Sequence, residues 1–93
     1  MPRSGGKPMT YSDFETRLLL ALAATAAAGS QPSAFVVAAT VVPQVNAQWV
    51  RDAVLSFEQR GYFHRVVRPM YVSAIFMTIT AEGRKAAEKL SAP

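Results

Sequence analysis

The chain has 93 residues, of which 51% are hydrophobic and 17% are charged, and its formal net charge is +4. This length fits one domain, and the apolar fraction is too high for a disordered chain. The absence of cysteine excludes disulfides, thiolate zinc sites and cysteine nucleophiles. No run reaches the roughly 18 apolar residues of a membrane span, so we expect no membrane partner. The excess positive charge favours an anionic partner.

The chain begins with an arm and a helix. Residues 1–10 contain prolines and glycines without a periodic apolar pattern, which predicts a disordered arm. Ser12, followed three residues later by Glu15, has the pattern of a capping box, so we predict a helix from there to about Ala28, with Gly29 as its stop. The apolar residues near one face of this helix are Phe14, Leu18, Leu19 and Leu22.

The same apolar run has a second interpretation. Residues 18–28 resemble the apolar core of a secretory signal, with basic residues upstream and small residues for cleavage. However, Asp13 and Glu15 stand immediately before the run, and Arg17 makes the leader mixed in charge. We therefore favour a helix of the folded domain and a cytoplasmic protein.

Two further elements lie in the middle of the chain. Residues 33–42 are rich in β-branched side chains, which suits a strand, but their length and Ser33 as N-cap also suit a short helix. Pro43 then forces a turn. Asn46 is a favourable N-cap for a longer helix, with Gly61 as its C-cap. The inner face of the longer helix holds Val50, Ala53, Val54 and Phe57.

The C-terminal third predicts a β-hairpin and a helix. Residues 62–68 are extended in character, Pro69 marks a turn, and residues 73–80 have the two-residue alternation of a strand. One side of the second strand holds Ile75, Met77 and Ile79. Thr80 is the predicted cap of a final helix over residues 81–90.

The predicted order is helix, helix, helix, hairpin, helix, which is an α+β chain that is mostly α. A short helix, a tight turn and a longer amphipathic helix form a helix-turn-helix, and a basic hairpin directly after it forms a wing. This order favours a helix over a strand for residues 33–42. We therefore predict a winged helix-turn-helix domain over residues 11–91.

Two segments carry a resemblance to a known family. Residues 50–62, VRDAVLSFEQRGY, resemble the recognition helix and its Gly-Tyr ending in bacterial winged helix-turn-helix regulators. Residues 79–90, ITAEGRKAAEKL, are similar to the close of the wing in the MarR and PadR groups of repressors. The resemblance covers about residues 11–90, in a minimal form of the domain. It implies a small prokaryotic, phage or plasmid transcriptional regulator that binds double-stranded DNA.

In this arrangement the N-terminal half of the third helix enters the major groove, where Arg pairs with guanine, and Gln or Asn with adenine. Four residues occupy this zone: Gln44, Asn46, Gln48 and Arg51. The wing would lie on the backbone or in the minor groove, where Arg65 and Arg68 neutralise phosphates. The alternative is an ordinary solvated helix face. Trp49 fits packing under the first helix, a DNA contact or a dimer contact, and we favour packing.

These features predict a sequence-specific, nucleoid-associated repressor. It would act as a homodimer through the first helix and the C-terminal helix, whose alanine-rich faces permit close packing. Two-fold symmetry matches a palindromic operator. No catalytic, phosphate-loop or metal pattern is present, so we expect no enzyme, no cofactor and no metal. The apolar second helix and Trp49 leave a protein–protein adaptor open, and a non-specific architectural DNA-binding protein is a further alternative.

Overall fold

A computed structural model describes residues 9–27, 29–66 and 75–91, which form four helices and one two-stranded antiparallel sheet. In chain order the elements are α1 (Tyr11–Ala26), α2 (Ala34–Val41), α3 (Ala47–Gln59), β1 (Phe63–Val66), β2 (Phe76–Ile79) and α4 (Ala81–Ser91). The chain is therefore α+β and mostly helical. Residues 1–8 of the predicted arm and the turn at Pro69 lie outside the described residues. None of these four helices is long and apolar enough to cross a membrane.

The first helix begins earlier than the sequence predicts. Thr10 is its N-cap, because the Thr10 Oγ1 accepts a hydrogen bond from the backbone N–H of Asp13 at 3.1 Å. The prediction of Ser12 as the cap is wrong: that residue is already inside the helix, which starts at Tyr11. Thr10 offers the same hydroxyl two residues earlier and also has an acidic residue three positions on, so local chemistry alone did not separate the two.

The other helix ends follow local signals. α1 ends at Ala26, before the predicted end, and Gly29 follows with a φ of 86°. Ser33 caps α2, so the helical alternative for this segment is confirmed over the strand. Asn46 caps α3 as predicted, because its Oδ1 accepts hydrogen bonds from two backbone N–H groups at 2.8 and 3.4 Å. Gly61 follows α3 with a φ of 76°, a conformation that glycine adopts without strain.

One core joins the helices and the sheet. The predicted inner faces of α1 and α3 are confirmed, because every residue assigned to them is buried. On β2 and the residue before it, Ile75 and Met77 are buried and Ile79 is partly buried, which confirms the predicted alternation. The largest fully buried side chains are Phe14, Phe57, Phe63, Leu18, Leu22, Met77, Val50 and Val54.

The sheet includes a contact that the sequence did not predict. β1 pairs with β2, with Phe63 opposite Ile79. On the other edge of β2, the segment just before α2 is hydrogen-bonded to the sheet: the Ala34 N–H donates to the Ile75 carbonyl at 2.7 Å, and the Met77 N–H donates to the Pro32 carbonyl at 3.0 Å. This pairing fixes the start of α2 against the sheet.

The junction between the sheet and α4 is tightly bonded. The Thr80 hydroxyl lies 2.6 Å from the Gly61 carbonyl oxygen and 2.9 Å from that of Tyr62, and it accepts a hydrogen bond from the Gly83 N–H at 3.0 Å. The Thr80 N–H also donates to the Tyr62 carbonyl at 2.9 Å. Thr80 is thus confirmed as the cap of α4, and it ties that helix to the end of α3.

Trp49 packs beneath the first helix. Its ring centroid lies 5.7 Å from that of Tyr11, edge to face, and 5.5 Å from that of Phe14. Both distances lie within the favourable range for aromatic pairs. The packing role for Trp49 is therefore confirmed. The pKa of Tyr11 is raised to about 12, mainly because the side chain is partly buried and secondly because it is hydrogen-bonded to Glu15.

This shift predicts a pH dependence of stability. The pKa of Tyr11 is about 10 when unfolded and about 12 when folded, so its contribution to stability is complete below pH 10 and is lost as the pH rises through about 12. Tyr11→Phe keeps the ring and removes the titration. Denaturation of both proteins should therefore show the unfolding free energy of wild type falling relative to that of Tyr11→Phe above pH 10. A difference between the two that stays constant with pH contradicts the assignment.

Candidate functional site

Three predicted site residues line one cleft beside α3. Gln48 and Arg51 come from the exposed face of that helix, and Arg65 comes from β1. The cleft has a volume of about 420 Å³. The rest of its wall is formed by Phe35, Asp52, Leu55 and Ile75. Residues from α2, α3 and the sheet region thus converge on one concave surface.

The helical repeat explains why these side chains point outward together. Positions three and four apart share one face of a helix, so Gln48, Arg51 and Leu55 form one exposed stripe along α3. The opposite face carries the buried residues such as Val54 and Phe57. The packing of α3 against the core therefore requires its polar side to face solvent.

Two contacts orient the polar groups of this stripe. The Arg51 guanidinium lies 5.8 Å from the centroid of the Phe35 ring, in a cation–π contact. The Gln48 Nε2 donates a hydrogen bond to Asp52 Oδ1 at 2.9 Å. This leaves the amide oxygen and the second N–H of Gln48 available for another partner. No ion pair of Arg51 occurs within the described part of the chain.

One cation of the cleft is already paired. Arg65 lies 2.8 Å from a carboxylate oxygen of Glu58. Arg60, which does not line the cleft, lies 3.2 Å from a carboxylate oxygen of Glu15. The sequence count of basic residues therefore overstates the free positive charge of α3 and β1. The Arg65 side chain is 47% exposed, and exposed ion pairs of this kind are worth no more than about 1 kcal/mol.

The remaining predicted residues lie elsewhere. Gln44 and Asn46 are exposed in the turn before α3 and do not line the cleft. The Asn46 side-chain oxygen is occupied by the helix cap, which leaves its amide N–H groups. Arg68 lies outside the described residues. The structure adds Phe35 and Leu55, which the sequence interpretation missed.

A second concave surface lies between α1 and α4, the two helices predicted to form a dimer. It is a groove of about 460 Å³. Its lining residues are Leu20, Ala23, Ala24, Ala27, Ile79, Arg84, Ala87, Glu88 and Ser91. Six of these nine residues are apolar, and four of the six are alanines. Arg84 and Glu88 add opposite charges one helical turn apart, and neither has an ion-pair partner among residues 9–27, 29–66 and 75–91.

No family model, curated protein or solved structure matches this chain. Within the described ranges, no group of three or more metal-ligating His, Asp or Glu side chains occurs.

Proposed function

We propose that this protein binds double-stranded DNA through α3 as a winged helix-turn-helix transcriptional repressor. The observation that carries the proposal is the convergence of Gln48, Arg51 and Arg65 on one exposed cleft. A short helix and a turn precede α3, and a hairpin and a last helix follow it, which supports the winged arrangement. A single helix fits the major groove, which is about 12 Å wide.

The side chains of the cleft supply the chemistry of base reading. Arg51 presents a planar fork of donors that matches guanine, and the free amide groups of Gln48 match adenine. Asp52 holds Gln48 in place. Arg65 exchanges Glu58 for a phosphate when DNA binds. Gln44, Asn46 and Arg68 complete the proposed contacts, the first two at the N-terminal end of α3, where the helix dipole favours phosphate.

Binding of labelled duplex, measured by fluorescence anisotropy at increasing salt, tests the proposal. We expect a preferred site to emerge from a random pool, and its affinity to fall with salt because phosphate contacts release counterions. Arg51→Ala should cost about 1–3 kcal/mol and relax specificity at one base pair. Arg17→Ala removes the same charge from an exposed position on α1 and serves as the control. Equal effects of the two variants, or no binding at low salt, contradict the proposal.

We also propose that a second copy of the chain occupies the groove between α1 and α4. Four alanines line the groove, and their small side chains allow two helices to approach closely. A two-fold contact is reciprocal, so a residue that meets a second position on the partner has that second position meet the partner's copy of it. We place Arg84 opposite the partner's Glu88, which also places Glu88 opposite the partner's Arg84. The two charges, unpaired among the described residues, then satisfy each other, and the two copies of α3 read the halves of a palindrome.

Charge exchange tests this dimer. Arg84→Glu places two carboxylates opposite each other and should weaken dimerisation about tenfold or more, because like charges across an interface are costly. The double variant Arg84→Glu, Glu88→Arg should restore it. Lys85→Glu makes the same charge change at a residue that does not line the groove. Analytical ultracentrifugation measures the association, and a wild-type protein that stays monomeric contradicts the dimer.

A protein–protein contact is the second candidate function. Val36 on α2 and Leu55 on α3 are 66% and 51% exposed, and the pairing of Arg60 and Arg65 lowers the free positive charge. The anisotropy experiment separates the candidates. A folded protein without affinity for duplex at low salt favours the adaptor, whereas equal affinity for every duplex favours a non-specific architectural DNA-binding protein.

A further inference from the structure

α3 carries an apolar side chain within its polar stripe. Leu55 follows Arg51 by four residues, is 51% exposed and lines the same cleft. Three large hydrophobic side chains in the described ranges are strongly exposed: Val36, Leu55 and Leu90. Leu55 is the member of this set that lines the cleft with Arg51.

The surroundings of Leu55 are suited to an apolar ligand group. Ile75 is 9% exposed and Phe35 is partly buried, and both line the same cleft. Arg51 lies against the Phe35 ring at 5.8 Å. A small apolar group that enters beside Leu55 therefore meets hydrophobic walls, with one cation at its edge.

We infer that Leu55 reads the C5-methyl group of a thymine close to the guanine that Arg51 contacts. The inference rests on the proposed DNA binding and extends it from the N-terminal half of α3, where Gln48 and Arg51 lie, to the next turn, where Leu55 lies. The thymine methyl is the apolar feature of the major groove, and apolar side chains recognise it by contact. Four residues advance α3 by about 6 Å, whereas successive base pairs are about 3.4 Å apart along the duplex axis. The thymine then lies one or two base pairs from the guanine.

Replacement of thymine by deoxyuridine removes this methyl group alone and provides the test. Each thymine of the selected site is replaced singly, and binding is measured by anisotropy. We expect wild-type protein to lose about fourfold in affinity at one position, the equivalent of one buried methyl group. Leu55→Ala should weaken binding to the thymine duplex and show no difference between thymine and deoxyuridine at that position.

Val36→Ala is the matched control, because it truncates an exposed apolar side chain that does not line the cleft. It should keep the fourfold difference, and circular dichroism should show both variants folded. Wild-type protein that binds every deoxyuridine duplex as well as the thymine duplex overturns the methyl contact while DNA binding stands. Absence of binding to any duplex overturns the DNA-binding function and the methyl contact together.

Discussion

Replacement of Gly83 with alanine is expected to destabilise the protein, although alanine is the better helix former by up to about 1 kcal/mol. A Cβ at this position would overlap the carbonyl oxygen of Tyr62 and would stand 3.0 Å from Ile79 Cγ1. That carbonyl is held by the Thr80 N–H, so it does not yield as a flexible side chain would. Overpacking of this kind costs about 1–3 kcal/mol, which reverses the sign expected from helix propensity.

Urea denaturation followed by circular dichroism measures the loss. Lys85→Ala, at an exposed position of the same helix, should change the unfolding free energy by no more than about 0.5 kcal/mol. Gly83→Ala as stable as wild type would mean that α4 does not pack on the Tyr62 carbonyl.

Phe57→Ala is expected to have the largest effect, a loss of about 3–5 kcal/mol in unfolding free energy. Phe57 is fully buried, and its ring centroid lies 5.7 Å from that of Phe63. The pair joins α3 to β1, the two elements that supply the cations of the cleft. A domain of 93 residues has a stability of about 5–14 kcal/mol, so this single truncation removes a large share of it.

The same helix offers the control for this prediction. Leu55→Ala truncates a half-exposed side chain and should cost less than about 1 kcal/mol, because little apolar surface returns to water. Phe57→Leu should fall between the two, since it leaves a smaller cavity. Thermal and urea denaturation of the three variants gives the order. Equal losses for Phe57→Ala and Leu55→Ala would contradict the assignment of the inner face of α3.

Local chemistry predicted much of the fold. Ser33 and Asn46 cap their helices as expected, since the side-chain oxygen that each carries satisfies free backbone N–H groups. The predicted N-cap of α1 was wrong because Thr10 and Ser12 offer equivalent hydroxyl groups. The bonds that Ala34 and Pro32 make to the strand region were not predictable, since they depend on how distant segments meet.

The candidate site was predicted in part. Helical periodicity placed Gln48 and Arg51 on the exposed face of α3. The pairing of Arg65 with Glu58 depends on the packing of β1 beside α3, which no spacing within one element reveals. Leu55 could have been found from the sequence, because it is an apolar residue at an outward position of an amphipathic helix. It lines the cleft together with the polar residues of the same helix face.

The contact between Gly83 and the Tyr62 carbonyl also constrains motion. With no side chain at Gly83, backbone rests on backbone, and the Thr80 hydroxyl bonds both sides of the junction. No flexible side chain therefore lies between α4 and the Tyr62 backbone at this contact, so α4 does not shift easily against the end of α3. In the proposed dimer, this rigid junction would hold the two copies of α3 at a fixed distance from each other.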